Sequence, residues 1–379
     1  MLRRFLPGVL VCWSFCSAGW CQTEFQSDWP ATLQRTWIGP TYWANRLQDW
    51  RIVNGRLECL NGKMQQRTVH LLTHRVTRQT GTVQMAVRLG LVDPQLAPGP
   101  DSAAGFLIGA GDPDLDVRAA ALVQMAPGPD GGWFAGLTGE GHLLLRENSR
   151  PKQPRSAISE KAIALQDAVL SLEVQTTEES TRLTLKATAP DTEQLLATVT
   201  CDGIEPRSVQ GNLALVSHPG KAPGTRYWFR DWRGAGSQLE MDRSQLAGPI
   251  LCSQYTLSNN VLKITAQLMP IGVQDSQTVL LETQEGEDWV ERARAQVVYP
   301  GYTATMRVTP WDSSRDVRYR LRYDQKQVRG KPTPQFWQGT IRRDPVDKTT
   351  IVVAGFTGNH NCRHGFGRNG YPWNASALW

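Results

Sequence analysis

After its first residues the 379-residue chain has no apolar stretch near the roughly 18 residues of a membrane-spanning helix, and it has no long run of like charge. Six His and seven Cys are few for this length, which excludes an array of metal knuckles. A net charge of +6, spread among acids and lowered by two when Arg3 and Arg4 are removed, supports no nucleic-acid-specific site. Helical periodicity is confined to a short pattern near Ser159 to Gln166. What remains is an ordinary globular composition, 40% apolar and 20% charged, which excludes low complexity, collagen and coiled coil. At this length two or three domains are expected. The outlier is Trp: 14 residues against 8 Tyr and 9 Phe, in a chain with 34 Gly and 23 Pro, a balance typical of β-sandwiches.

The first 21 residues read as an address. Met1-Leu2-Arg3-Arg4 is a short basic start, Phe5 to Cys16 is apolar, and Ser17-Ala18-Gly19 supplies small residues for cleavage, the order of a secretory signal. Export to a periplasm, cell surface or extracellular space is expected, with no transmembrane segment after cleavage. Arg3-Arg4-Phe5-Leu6 resembles the centre of a twin-arginine signal, a pattern shared by many basic secretory starts. Trp20 beside Cys21 disfavours lipid attachment there. Cys59, Cys201, Cys252 and Cys362 remain, open to one structural disulfide or to buried free thiols.

From Trp37 to about Leu251 the pattern is strand, turn, strand. Arg51-Ile52-Val53-Asn54-Gly55-Arg56-Leu57 sets an Asn-Gly turn between alternating apolar residues, the strongest short hairpin signal. Val83, Met85, Val87 and Leu89 alternate with polar or small neighbours, as do Leu170, Leu172 and Val174, then Leu183, Leu185 and Ala187. Asp112, Asp114 and Asp116 have a spacing able to offer oxygens to calcium, but the downstream Gly and Glu of a calcium loop are missing, so a turn with exposed carboxylates is the simpler reading. The Trp residues fit a sugar-stacking face, and packing inside a sandwich accounts for them at least as well. A second β-rich stretch runs from 253 to 345. Its clearest strand is Val317-Arg318-Tyr319-Arg320-Leu321-Arg322-Tyr323, with three Arg on one face, either an anion-receiving stripe or simply the wet side of the strand.

Thr349 to Phe356 is apolar without alternation, the mark of a strand covered on both faces in a parallel α/β sheet. A Gly-, Asn- and His-rich loop follows, and Asn374 is placed to cap a helix. An α/β domain that continues past Trp379 is expected.

Three resemblances follow from these phrases. Ala104 to Gly109, Gly211 to Val216 and Tyr227 to Trp232, in that order, resemble a concanavalin-type (laminin-G-like) jelly roll over 30–251. The stretch 253–345 resembles an immunoglobulin- or fibronectin-III-like sandwich. Gly339 to Arg343, then Ile351 to His360 and Gly370-Tyr371-Pro372-Trp373, resemble the alkaline phosphatase D (PhoD-like) branch of metallophosphoesterases. The expected fold class is therefore mainly β: a jelly-roll sandwich, a second sandwich, and over 346–379 the first strand of a truncated α/β metallophosphatase domain.

The phosphoesterase resemblance implies a secreted phosphatase or phosphodiesterase acting on phosphate esters through Ca, Fe, Mn or Zn ions. Family members place Ser-Cys after the first strand; here Gly358-Asn359 stand near that place, and Asn359 and His360 are the candidate metal ligands. No catalytic and no cofactor-binding residue is assigned, and the chain itself is expected to be inactive, an accessory portion carrying the jelly roll to a glycan or cell-surface polymer. The alternative is a freestanding secreted glycan- or surface-binding protein. A glycoside hydrolase is disfavoured because no close cluster of paired acids lies on a strand.

Overall fold

The computed structural model describes residues 23–355, apart from 45, 64–66, 112–127, 129, 151–152, 165–166, 222–223, 328–329 and 354. The signal segment 1–21, the Asp112, Asp114 and Asp116 turn, Cys362, Asn359 and His360 lie outside the described residues.

Strands dominate, as the alternation requires. In the first part of the chain they are β1 (Thr23–Gln26), β2 (Tyr42–Ala44), β3 (Trp50–Val53), β4 (Arg56–Cys59), β5 (Arg67–Val76), β6 (Gly81–Leu91), β7 (Ala103–Ala110) and β8 (Trp133–Thr138). Then come β9 (Leu143–Glu147), β10 (Ser156–Ile158), β11 (Ala168–Thr176), β12 (Thr181–Thr188), β13 (Leu195–Ile204), β14 (Gly211–His218), β15 (Tyr227–Gly236) and β16 (Leu239–Met241). The second part contributes β17 (Ile250–Ser258), β18 (Val261–Leu268), β19 (Thr278–Glu285), β20 (Asp288–Gln296), β21 (Thr303–Val308), β22 (Val317–Gln325) and β23 (Thr333–Ile341).

The first sixteen strands form two antiparallel eight-stranded sheets. One runs β13-β12-β11-β6-β15-β4-β3 with β1 on β15, and the other β10-β9-β8-β7-β14-β5-β16 with β2 on β5. Period two explains the first sheet. Leu170, Leu172 and Val174 of β11 stand opposite Ala187, Leu185 and Leu183 of β12, and all are buried. Asn54 and Gly55, with φ of 52° and 71°, make the expected tight turn between β3 and β4; two consecutive positive φ values match the right-handed twist of the hairpin.

The second sheet departs from simple alternation. β7 and β8 are buried along nearly their whole length, because Leu107, Phe134, Ala214 and Val216 form a small apolar cluster on the face away from the main core. The main core between the sheets holds Trp50, Leu57, Phe106, Ile108, Trp133, Leu215, Phe229 and Trp232. Each such large apolar side chain contributes about 1.5–3 kcal/mol by leaving water.

The second sandwich packs a three-stranded sheet, β17-β18-β21, against a four-stranded one, β20-β19-β22-β23. All seven strands pair antiparallel. Val317, Tyr319, Leu321 and Tyr323 of β22 face its core.

Three expectations meet the structure differently. The helix near Ser159 to Gln166 does not form among the described residues. The Ser159 N–H instead donates to the Leu143 carbonyl, and its hydroxyl accepts the Leu143 N–H and donates to the Lys161 carbonyl, which holds the chain extended along β9. Cys59, Cys201 and Cys252 are free thiols, two buried and one exposed, so the disulfide alternative fails for these three. In 346–379, Ile351, Val352 and Val353 are 69%, 90% and 84% exposed and belong to no strand; no neighbouring strand among the described residues offers them a ladder. No helix among the described residues is long and apolar enough to cross a membrane.

Candidate functional site

The alternation that buries Leu143 and Leu145 of β9 carries one residue further and places Glu147 on the inward face, directly opposite Trp133 of β8. A carboxylate at the mouth of an apolar core needs a polar neighbour. It finds one in Arg150, whose Nε lies 3.2 Å from Glu147 Oε1 and whose Nη2 donates to Glu205 Oε2 at 3.3 Å. The Glu147 side chain is only 7% exposed.

The facing wall comes from the end of β13. Gly203 takes φ +64°, a left-handed turn that a side chain would strain, and it lifts its carbonyl toward Arg155. Arg155 Nη1 donates to that carbonyl at 2.6 Å, and Nη2 to the carbonyl of Asp202. The Arg155 carbonyl in turn accepts the Glu147 N–H at 2.9 Å, so one residue ties the margins of the two sheets together. Pro206 to Val209 then makes a single 3-10 turn whose Ser208 hydroxyl accepts the Trp133 indole N–H at 3.0 Å and donates to the Glu205 carbonyl.

These walls enclose a cleft of about 270 Å³, with Glu179 at its rim. Behind it lies Cys201, whose thiol is pushed up by burial, so it stands as a neutral, unreactive wall rather than a nucleophile. The polar groups are three carboxylates, two guanidinium groups and one hydroxyl. The size falls just below the usual range of small-molecule sites, room for a single ring at most.

The sites expected from the sequence fare unevenly. Asn359 and His360 lie outside the described residues. Among the described residues no group of three or more His, Cys, Asp or Glu is placed to hold a metal ion. The Trp residues are core rather than a stacking face: of the ten described, seven are buried and Trp43, Trp289 and Trp337 are half-buried. The Arg stripe of β22 is the wet face of its strand, and two of its members are already engaged. Arg320 pairs with Glu282 and lies between the rings of Trp289 and Phe336 at 4.5 and 4.4 Å, and Arg322 grips Asp324 at 2.9 and 3.1 Å.

The cleft itself escaped the sequence reading. Its one readable signal is Leu143-x-Leu145-x-Glu147, a charge where the period demands an apolar residue. Arg150, Arg155 and Glu205 reach the cleft from loops and turns with no periodic mark.

No protein-family model matches the chain, and no curated protein matches it. Among solved structures, it is similar to the metal-free lectin I-B4 of Griffonia simplicifolia, with 11% identity and a TM-score of 0.40, covering 57% of this chain and 99% of that one. It is also similar to basic winged bean lectin bound to Tn-antigen, with 12% identity and a TM-score of 0.34, covering 60% and 100%. The exoplasmic/lumenal domain of VIP36, bound to Ca²⁺ and Man3GlcNAc, gives 10% identity and a TM-score of 0.34, covering 53% and 84%. At these values the likeness transfers neither a site nor a ligand.

Proposed function

We propose that the chain is an exported binding protein whose first sandwich holds one polyhydroxylated ring, a sugar residue of a glycan or cell-surface polymer, in the cleft between β9 and the end of β13. The observation that carries this reading is the pairing of a single-ring volume with alternating carboxylates and guanidinium groups, the donor and acceptor set that adjacent hydroxyls satisfy. Binding fits the geometry better than hydrolysis. A glycosidase needs a scissile bond between two carboxylates, and here Arg150 occupies the space between Glu147 and Glu205. The test is titration calorimetry against a panel of monosaccharide glycosides and oligosaccharides, with Arg150→Ala and Glu147→Gln beside the unaltered chain. Binding weakened about tenfold or more in both variants supports the reading, since a charge-assisted hydrogen bond is worth roughly 1.5–3 kcal/mol. No binding to any sugar, or unchanged binding in both variants, overturns it.

A second reading makes this sandwich the accessory part of a metal-dependent phosphoesterase, with Asn359 and His360 facing the metal. Its support is the resemblance over Ile351 to Trp373, together with three consecutive exposed apolar side chains, Ile351 to Val353, of the kind a further domain would cover. Turnover of p-nitrophenyl phosphate and its bis-ester, with added Ca²⁺, Fe³⁺, Mn²⁺ or Zn²⁺, by the chain extended through any downstream reading frame tests it. Silence from a folded, metal-loaded extension removes it.

A further inference from the structure

The end of the second sandwich that meets the first, where the Trp37 backbone N–H donates to the Pro270 carbonyl, is crossed by two loops, 269–277 after β18 and 297–302 after β20. We propose that these loop tips dock the protein on a membrane by entering the headgroup layer of an anionic lipid bilayer.

Hydrogen bonds fix both loops. Asp275 Oδ2 accepts the Gly272 N–H, and Gln277 Nε2 donates to the carbonyls of Gly272 and Asp275 at 2.9 and 3.0 Å. The Val297 N–H donates to the Gln277 carbonyl at 2.8 Å, and the Tyr299 hydroxyl to the Ile271 carbonyl at 3.5 Å, so the second loop is fastened to the first. This frame holds apolar side chains in water. Val273 is 73% and Val298 61% exposed, more than any other large apolar residue described in either sandwich. Tyr299, next to Val298, is 39% exposed, and its ring meets Tyr302 edge-on at 5.0 Å. Apolar groups held fixed in solvent mark a contact surface. Aliphatic tips beside amphipathic tyrosines suit the lipid boundary, where a phenol keeps its hydroxyl in the polar layer.

Charge selects the partner. A third loop, from β22 to β23, brings the exposed Lys326 and Lys331 to the same end, and Lys326 Nζ donates to the carbonyl of Gln274, the neighbour of Val273. Asp275, the one acid among the described residues of the three loops, is buried against Arg35, and Asp324 at the end of β22 is held by Arg322. Apolar tips flanked by lysines, with no acid left free among those residues, complement negative headgroups. Three protruding side chains are enough for shallow insertion, whereas a standard protein interface takes roughly 20–30 residues a side.

The test is co-sedimentation of the full chain with vesicles of phosphatidylcholine alone, and of phosphatidylcholine with phosphatidylglycerol in a two-to-one ratio. The chain should bind the anionic vesicles, and less as salt rises. Val273→Ser combined with Val298→Ser, checked for native circular dichroism, should lower the partition coefficient about tenfold or more. Lys326→Gln and Lys331→Gln should each lower it about fivefold. Ile158→Ser, which alters a residue 58% exposed on the first sandwich, should leave it unchanged. If the valine variant loses its native spectrum, the surface pressure of a phosphatidylglycerol monolayer decides: a rise on adding the unaltered chain supports insertion, and no rise overturns it. Absence of binding to anionic vesicles overturns the proposal. Binding that survives the valine changes, or falls equally in Ile158→Ser, also overturns it, because the net charge of +6 then accounts for the attraction. A concentration-dependent dimer that the valine changes abolish, without vesicle binding, assigns the tips to a second copy of the chain instead.

Discussion

Arg35 Nη1 stands 2.8 Å from Asp275 Oδ1 at the junction of the two sandwiches, with the two side chains 2% and 0% exposed. Each partner is fixed by its own sandwich. The backbone of Arg35 exchanges hydrogen bonds with Ile52 of β3, and Asp275 Oδ2 accepts the Gly272 N–H at 2.8 Å. Removing one partner leaves the other charged and dry, which typically costs about 3–5 kcal/mol. Arg35→Ala should therefore lower the urea-unfolding free energy by that amount, while Arg35→Met combined with Asp275→Leu should recover most of it. An Arg35→Ala chain within about 1 kcal/mol of the unaltered protein would show that the pair does not hold the junction.

Trp37 crosses the same junction in the other direction. It precedes the first sandwich's hairpins in sequence, yet its ring is 1% exposed inside the core of the second sandwich, with Ile250, Met269 and Ile271 in the same cluster. Its backbone N–H donates to the Pro270 carbonyl at 3.1 Å. Trp37→Ala should cost about 3–5 kcal/mol, the usual range for deleting a buried Trp. Hydrogen exchange locates the damage: amides of β17, β18 and β21 should lose protection while those of β11 and β12 keep theirs. Equal loss in both sandwiches would mean that the two unfold as one unit.

How far these features can be read from the chain depends on the range of the interaction that makes them. The Asn54-Gly55 hairpin is legible because two adjacent residues dictate the turn, and the β11–β12 pair because period two is a local property. A continuous apolar run is ambiguous. β7 and β14 show one and lie in an antiparallel sheet buried on both faces, whereas Ile351 to Val353 show one and are exposed, so burial depends on neighbours the run does not encode. Arg35 and Asp275 are 240 positions apart and carry no pattern at all. The cleft is mostly of that kind, with Glu147 alone marked by its place on an inward-facing period.

Two histidines should contribute to the loss of stability on the acid side. Burial holds the His74 imidazole below its usual range: it packs against the Phe25 ring at 5.2 Å and meets Thr73 Oγ1 at 2.9 Å, with Arg243 adding to the effect. Burial also lowers His218, helped by the neighbouring Arg146 and opposed by Asp101. A depressed histidine is neutral in the folded state but takes up a proton on unfolding, so its contribution is present above the unfolded value near pH 6.5 and lost as pH falls through the folded value. Stability should drop on acidification from about pH 6.5, and a chain carrying His74→Asn and His218→Asn should lose less over the same interval. Parallel curves for the two proteins, from urea midpoints at each pH, would rule the histidines out as the cause.

The alkaline side depends on Tyr227. Its hydroxyl lies 2.9 Å from Ser102 Oγ in the buried end of β15, and Ser102 already donates to the Gly99 carbonyl at 2.6 Å, so the phenol is the donor between them. Burial pushes the Tyr227 phenol up to about 12. A raised acid keeps its proton in the folded state, so its contribution is complete below the unfolded value near 10 and disappears as pH climbs through the folded one. Roughly two pH units of separation correspond to about 3 kcal/mol. Tyr42 and Tyr323 are raised by burial in the same direction, so the unaltered chain loses more than this in total, and the Tyr227 share emerges as a difference. Tyr227→Phe should start about 1 kcal/mol less stable at neutral pH, having lost one hydrogen bond. Between about pH 10 and 12 it should fall more gently than the unaltered protein, so that the two stabilities converge and cross. A gap that stays constant across that interval would mean the phenol ionises no later in the folded protein than in the unfolded chain, and that its burial is not what resists base.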